Sequence, residues 1–325
     1  MKSPPRSPES LLPRWLFFLW LLLAAILGGL AALLIRAQGR DLQSQWEARL
    51  NVHVEDRAAA VQVWLRERRE DAEIAAAFPP VPRLVGGDSR AAAGPSPSAG
   101  APSPADELYA QMAPAGGYTA VAAYDEGGRV VASSKSAPSD PGVAAAAVEC
   151  ARRGAPMIRR IPHSATPMDY TLAFLHPIRL GAGASGSPGA VALLIEPKTS
   201  LFPLLTRKLF EARTEELYLS GVAGGQIEYL SPLKLARGSG PPLRADAASL
   251  VGAAALRRPH NLGEFTDYRG ERVIAATRLI PETGWGLVAK VDRAEAVPRF
   301  RPQSLWILLA AAGVFGCVTG AGLAW

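Results

Sequence analysis

Four histidines, two cysteines and one glycine-rich loop are the residues of this 325-residue chain whose types first suggest chemistry. His53, His163, His176 and His260 are scattered, with no two at metal-ligand spacing, so neither a zinc nor a haem centre is expected. Cys150 and Cys317 lie in segments that do not readily pair, which excludes a disulfide framework and leaves them as small apolar residues. Gly181, Gly183 and Gly186 match the G-x-G-x-x-G spacing of a dinucleotide loop. Such a loop opens a helix whose N-terminus receives the pyrophosphate, whereas Ser187-Pro188-Gly189 and an apolar strand follow here. A hairpin loop is the better account, and no cofactor is expected. The chain has no Gly-x-Ser-x-Gly elbow and no Walker loop, so no catalytic residue is assigned. What remains suits binding. Tyr118, Tyr124, Tyr170 and Arg179 line a pocket for a small molecule if their strands present them to one face.

The elements that must position these residues begin at a membrane. Trp15 to Ile35 and Ser304 to Trp325 carry no charged residue, and each run is long enough to cross a bilayer at about 20 apolar residues. The first exceeds the apolar block of a cleaved signal peptide and reads as an uncleaved anchor. Lys2, Arg6 and Arg14 precede it against one acid, Glu9, which keeps residues 1–14 in the cytoplasm and sends residues 36–303 outside. Because the second span stops in its own apolar residues, a further domain is expected beyond Trp325. The net charge of +6 is spread among acids without interleaved aromatics, so nucleic acid is not an expected partner.

Between the spans, Gln38 to Phe78 reads as one long helix with Trp46, Leu50, Val54, Ala58, Val61 and Leu65 on one face and mixed charges elsewhere. Pro79 and Pro80 end it. Val85 to Pro104 is Gly, Ala, Pro and Ser, the composition of a flexible loop. Tyr118–Tyr124 and Arg129–Ser133 flank Asp125-Glu126-Gly127-Gly128 as a hairpin. A helix over Ala144–Arg153 and strands over Tyr170–Leu180 and Ala190–Ile195 follow, and Ser200–Glu211 makes a connecting helix. The same plan then recurs. Leu217–Ser220 and Gln226–Leu230 bracket Gly221–Gly225, Ala245–Leu256 is helical, and Gly263–Tyr268, Glu271–Leu279 and Trp285–Val291 are strands. Two successive hairpin-helix-strand units describe an internally duplicated α+β protein.

Glu264 to Glu295, EFTDYRGERVIAATRLIPETGWGLVAKVDRAE, carries a more specific signal. Asp267-Tyr268-Arg269-Gly270 makes a turn, Thr283-Gly284 reverses the chain, Trp285 supplies apolar area, and Leu287 and Ala289 alternate with Val288 and Lys290. This stretch resembles the closing strands of the membrane-proximal module of a double Cache (dCache) sensor, the extracytoplasmic region of bacterial transmembrane receptors. YTAVAAYDEGGRVVASS and TLAFLHPIRL resemble its distal half, so the resemblance covers about residues 40–300.

The resemblance implies two tandem PAS-like antiparallel-sheet modules on the long helix, a distal one over 79–212 and a proximal one over 213–300, flanked by spans at 15–35 and 304–325. It implies a small-molecule ligand in the distal module, with Glu196 at the end of VALLIEP standing near the family's ligand-binding acid. Met157 to Tyr170 lacks the family's Arg-x-Trp pair, which argues against an amino-acid ligand. A homodimer in the inner membrane, sensing in the periplasm, is expected, with a histidine kinase as the output domain. Diguanylate cyclase and chemotaxis outputs are the alternatives within this class. A stand-alone tethered binding protein or periplasmic hydrolase is the alternative outside it.

Overall fold

The structure, a computed structural model, describes residues 14–86, 102–134, 140–163, 169–179, 189–206, 212–236, 243–244, 250–298 and 302–324. The chain divides into two compact units, Met1–Ala48 with Arg293–Trp325, and Arg49–Asp292. In the first, the opening part of α1 (Arg14–Ala77) and the C-terminal helix meet where Trp20 packs edge-on against Phe315, ring centroids 5.7 Å apart. Among the described residues, one helix is long and apolar enough to cross a membrane, the stretch of α1 from Trp20, with mean hydropathy 2.1 in its most apolar window. In the C-terminal helix the apolar stretch Trp306–Cys317 is shorter. The span and the long helix read from the sequence are therefore one continuous α1, since no proline interrupts it before Pro79.

The second unit holds the two modules. After α2 (Pro80–Val85) and α3 (Pro104–Gly116), the distal module comprises β1 (Ala120–Tyr124), β2 (Val130–Ser133), α4 (Pro141–Arg153), β3 (Met157–Pro162), β4 (Tyr170–Pro177) and β5 (Ala190–Ile195). α5 (Pro197–Thr206) leads to the proximal module: β6 (Glu216–Ala223), β7 (Gln226–Tyr229), β8 (Leu243–Arg244), α6 (Val251–Arg257), β9 (His260–Thr266), β10 (Arg272–Ile280) and β11 (Trp285–Asp292). A short helix, α7 (Arg293–Ala296), and the 23-residue helix α8 (Pro302–Ala324) follow β11.

Strand order makes the duplication plain. The distal sheet runs β2-β1-β5-β4-β3 and the proximal one β8-β7-β6-β11-β10-β9, so the hairpin, the last strand and the returning pair occupy matching places, with β8 added at one edge. All paired strands are antiparallel. α4 and α6 lie on matching faces of their sheets. Alternation sends Ala120, Ala122 and Tyr124 of β1 and Ala173 and Leu175 of β4 into a core with Val143, Ala147, Cys150 and Ala151 of α4. Phe174 points the other way and meets Trp64 of α1 edge-on at 5.5 Å.

Several boundaries differ from the sequence reading, for identifiable reasons. β3 was missed because Arg159 and Arg160 interrupt its apolar pattern; it is the edge strand beside β4, where half-exposed arginines are tolerated. α3 was missed because Pro104 reads as loop. Yet Ser103 and Asp106 form a reciprocal capping box and Pro104 fills the first helical turn, where its missing N–H is harmless. The second hairpin is tighter than expected: β6 continues through Gly221, and Gly224 and Gly225 alone make the turn, with φ of 57° and 77°. The G-x-G-x-x-G loop, most of Val85–Pro104 and the first part of the helix expected at Ala245–Leu256 lie outside the described residues.

Close packing of α6 on its sheet rests on Gly286. A Cβ there would stand 2.7 Å from the Ala255 Cβ and 3.1 Å from its backbone carbonyl carbon. Gly286→Ala is expected to push α6 off the sheet and to cost about 1–3 kcal/mol in chemical unfolding.

Candidate functional site

The five residues singled out for ligand binding fall in five different places. Tyr118 precedes β1 and turns to α1, where its hydroxyl donates to Asp71 and its ring lies under the Arg68 guanidinium, 5.5 Å from the centroid. Tyr124 ends β1 and is buried beneath α4. Tyr170 begins β4 and reaches out of the module, donating its hydroxyl to the Leu230 carbonyl oxygen at 2.6 Å. Arg179 and Glu196 are exposed. Because β4 and β5 pair with Pro177 opposite Ala190 and Leu172 opposite Ile195, these last two stand at opposite ends of the strand pair. Spacing along the chain did not reveal this, since it carries no register between strands.

Of the five, Tyr124 has the surroundings of a ligand group. It is 1% exposed and its hydroxyl has no hydrogen-bond partner among the described residues, although nearly all buried hydroxyls have one. Burial, and then the negative charge of Asp140, push its pKa up to about 12, so it is a neutral donor at physiological pH. Around it the sheet face is built of small residues, Ala120, Ala122, Ala173, Ala190 and Ala192, with the alanine-rich face of α4 above. Tyr124→Phe removes only the orphan hydroxyl. It is expected to leave stability within about 1 kcal/mol of wild type or raise it, because no partner is stranded. Thermal unfolding checks this.

The matching face of the proximal module holds a polar cluster that the sequence reading passed over. Lys290 was read as one half of a simple alternation along β11, yet both faces of this central strand are covered and Lys290 is fully buried. Its ammonium bridges Glu216 and Asp267, each at 2.8 Å. Tyr268 donates to both Glu216 oxygens at 2.9 Å, and the rings of Tyr218, Tyr229 and Tyr268 pack edge to face with centroids 5.6–6.0 Å apart. Arg269 reaches both Asp267 and Asp292. For Asp267, burial pushes the pKa up, but the hydrogen bond and charge of Lys290, joined by Arg269, outweigh it and hold the carboxyl below its ordinary range. The signal lay in the sequence: a lysine within an otherwise apolar central strand needs buried acids.

No family model and no curated relative matches the chain. Solved structures do. The ligand-binding domain of the Pseudomonas fluorescens chemoreceptor CtaA, in complex with L-isoleucine, superposes with a TM-score of 0.51 at 19% identity, covering 80% of this chain and 97% of that one. The extracellular domain of the putative histidine kinase rpHK1S-Z16 gives 0.53 at 12% identity, covering 79% and 98%. The ligand-binding domain of the Pseudomonas aeruginosa PAO1 amino acid chemoreceptor PctB, in complex with L-Arg, gives 0.52 at 15% identity, covering 79% and 100%. The unit Arg49–Asp292 has the double Cache fold. Two of these neighbours are ligand-binding domains of chemoreceptors and one is the extracellular domain of a putative histidine kinase, and in this chain the two-module plan lies within Arg49–Asp292.

Proposed function

We propose that this chain is the sensing part of a membrane receptor, in which a small molecule binds the distal double Cache module beneath α4 and shifts the protein between two arrangements. The buried, partnerless hydroxyl of Tyr124 carries the reading, because a ligand acceptor there supplies the missing partner. A ligand biases such an equilibrium only by its differential affinity for the two states. α1 is the element that joins the sensor to the apolar stretch from Trp20, and a displacement of α1 is the form the signal takes.

The apolar C-terminal run serves as the second span, with residues 36–303 in the periplasm of the inner membrane. A second copy of the chain covers α1: Val52, Val63 and Ile74 are exposed by 67%, 49% and 62% and recur every eleven residues, the period of a right-handed helical supercoil. For the output, a histidine kinase is favoured over a cyclase or chemotaxis domain, and residues 1–325 bind without catalysing. The test is a fusion of the full chain to a histidine kinase core, with autophosphorylation read in vesicles across a metabolite panel. One compound class is expected to change the signal saturably. A panel that leaves it flat, with the fusion folded and basally active, would overturn the proposal.

A further inference from the structure

The geometry points to a second binding site where the two modules meet, for a small organic monocarboxylate with an apolar body. A cleft of about 540 Å³ opens there, within the range of small-molecule sites. One wall is Arg160 of β3 with Leu172 of β4; the other is Glu228 and Leu230 from the β6–β7 hairpin, with Trp285 after the β10–β11 turn. Arg160 pairs with Leu172 in the distal sheet. The cleft therefore lies on the face opposite Ala173 and Leu175, which point to α4, and is separate from the surroundings of Tyr124.

Arg160 decides the charge of the ligand. Its Nη2 bonds Glu228 at 2.5 Å and its guanidinium lies over the Tyr170 ring, 5.3 Å from the centroid. Its Nη1 is buried with no hydrogen-bond partner among the described residues. The neighbours are already spoken for, since Glu228 is held by Arg160 and the Tyr170 hydroxyl is donated to Leu230. A buried guanidinium N–H without an acceptor is costly, and a carboxylate oxygen delivered through the cleft removes that cost with a charge-assisted bond. The opposite wall limits the ligand to one negative charge, because Glu228 and Glu282 line the same cleft and repel a second. Leu172, Leu230 and Trp285 supply apolar area for the ligand's body. As its walls belong to different modules, an occupied cleft favours the docked arrangement of the two.

Phenylacetate is the probe, titrated calorimetrically into the full chain in nanodiscs, with 2-phenylethanol and 2-phenylethylamine as neutral and cationic counterparts. Phenylacetate is expected to bind saturably and at least tenfold more tightly than either counterpart. Arg160→Gln is expected to weaken it at least tenfold. Val222→Trp, at a position 55% exposed on the cleft wall, fills the space while keeping Arg160 and Glu228, and is expected to do the same. Should Arg160→Gln fail to fold by circular dichroism, Val222→Trp decides alone. Absent binding, equal binding of the amine or alcohol, or undiminished binding in Val222→Trp overturns the assignment. Loss of phenylacetate binding in Tyr124→Phe would put the compound under α4 and overturn it too.

Discussion

Lys290→Ala is expected to destabilise the proximal module by about 3–5 kcal/mol, the loss typical of breaking a buried ion pair from one side. The variant leaves Glu216 and Asp267, both almost fully buried, facing each other without the cation that bridges them at 2.8 Å. Tyr268 and Arg269 keep their bonds to these acids but replace neither the charge nor the volume of the lysine. Thermal unfolding should show a fall in Tm on the order of 10 °C. Restoring neutrality tests the cause: Lys290→Met combined with Glu216→Gln and Asp267→Asn is expected to lose less than Lys290→Ala alone, since no unpaired charge stays buried. A loss under about 1 kcal/mol in Lys290→Ala would mean that water reaches the cluster.

The second large effect is in pH. His53 of α1 is 3% exposed, 3.9 Å from the Glu215 carboxylate and flanked on its own helix by Asp56 and Arg57. Burial first, then the positive charge of Arg57, lower its pKa from 6.5 to about 4, with Asp56 opposing. In the unfolded chain His53 takes up a proton near pH 6.5, whereas in the folded chain it does so only near pH 4. Between these values the unfolded state binds more protons, so stability rises with pH through the window and is lost as pH falls from 6.5 toward 4. The full loss is on the order of 3 kcal/mol. Chemical unfolding from pH 7 to pH 4 should show this slope in wild type, and His53→Gln should flatten it. Because other carboxylates titrate in the same range, the difference between the two profiles is the measurement. Parallel profiles would remove His53 from the account.

How much of this was legible in the sequence depended on local chemistry. Gly270 and Gly284, with φ of 83° and 68°, mark turns that only glycine makes easily, and the strands around them were placed within a few residues. The Gly127-Gly128 turn between β1 and β2 was equally plain. Alternation failed for β3, whose arginines belong to an edge, and for α3, whose cap required reading Ser103 with Asp106. Site residues were harder still, since they depend on register and on which face each module covers. Arg179 and Glu196 are near one another in the paired strands' sequence but stand at opposite ends of them, and Tyr170 turns out to join two modules. Arg160 was not singled out and Lys290 was read only as part of an alternation, because the hairpin β6–β7 and helix α6 that surround them are not local in sequence.

The account rests on a small molecule binding beneath α4, and thermal unfolding of the full chain in nanodiscs against a metabolite panel tests that most directly. A true ligand at a hundredfold its Kd should add about 2.7 kcal/mol and raise Tm saturably, and Tyr124→Phe, of near wild-type stability, should lose most of that shift. If no compound class raises Tm, or if the shift survives undiminished in Tyr124→Phe, the distal module is not the sensor proposed.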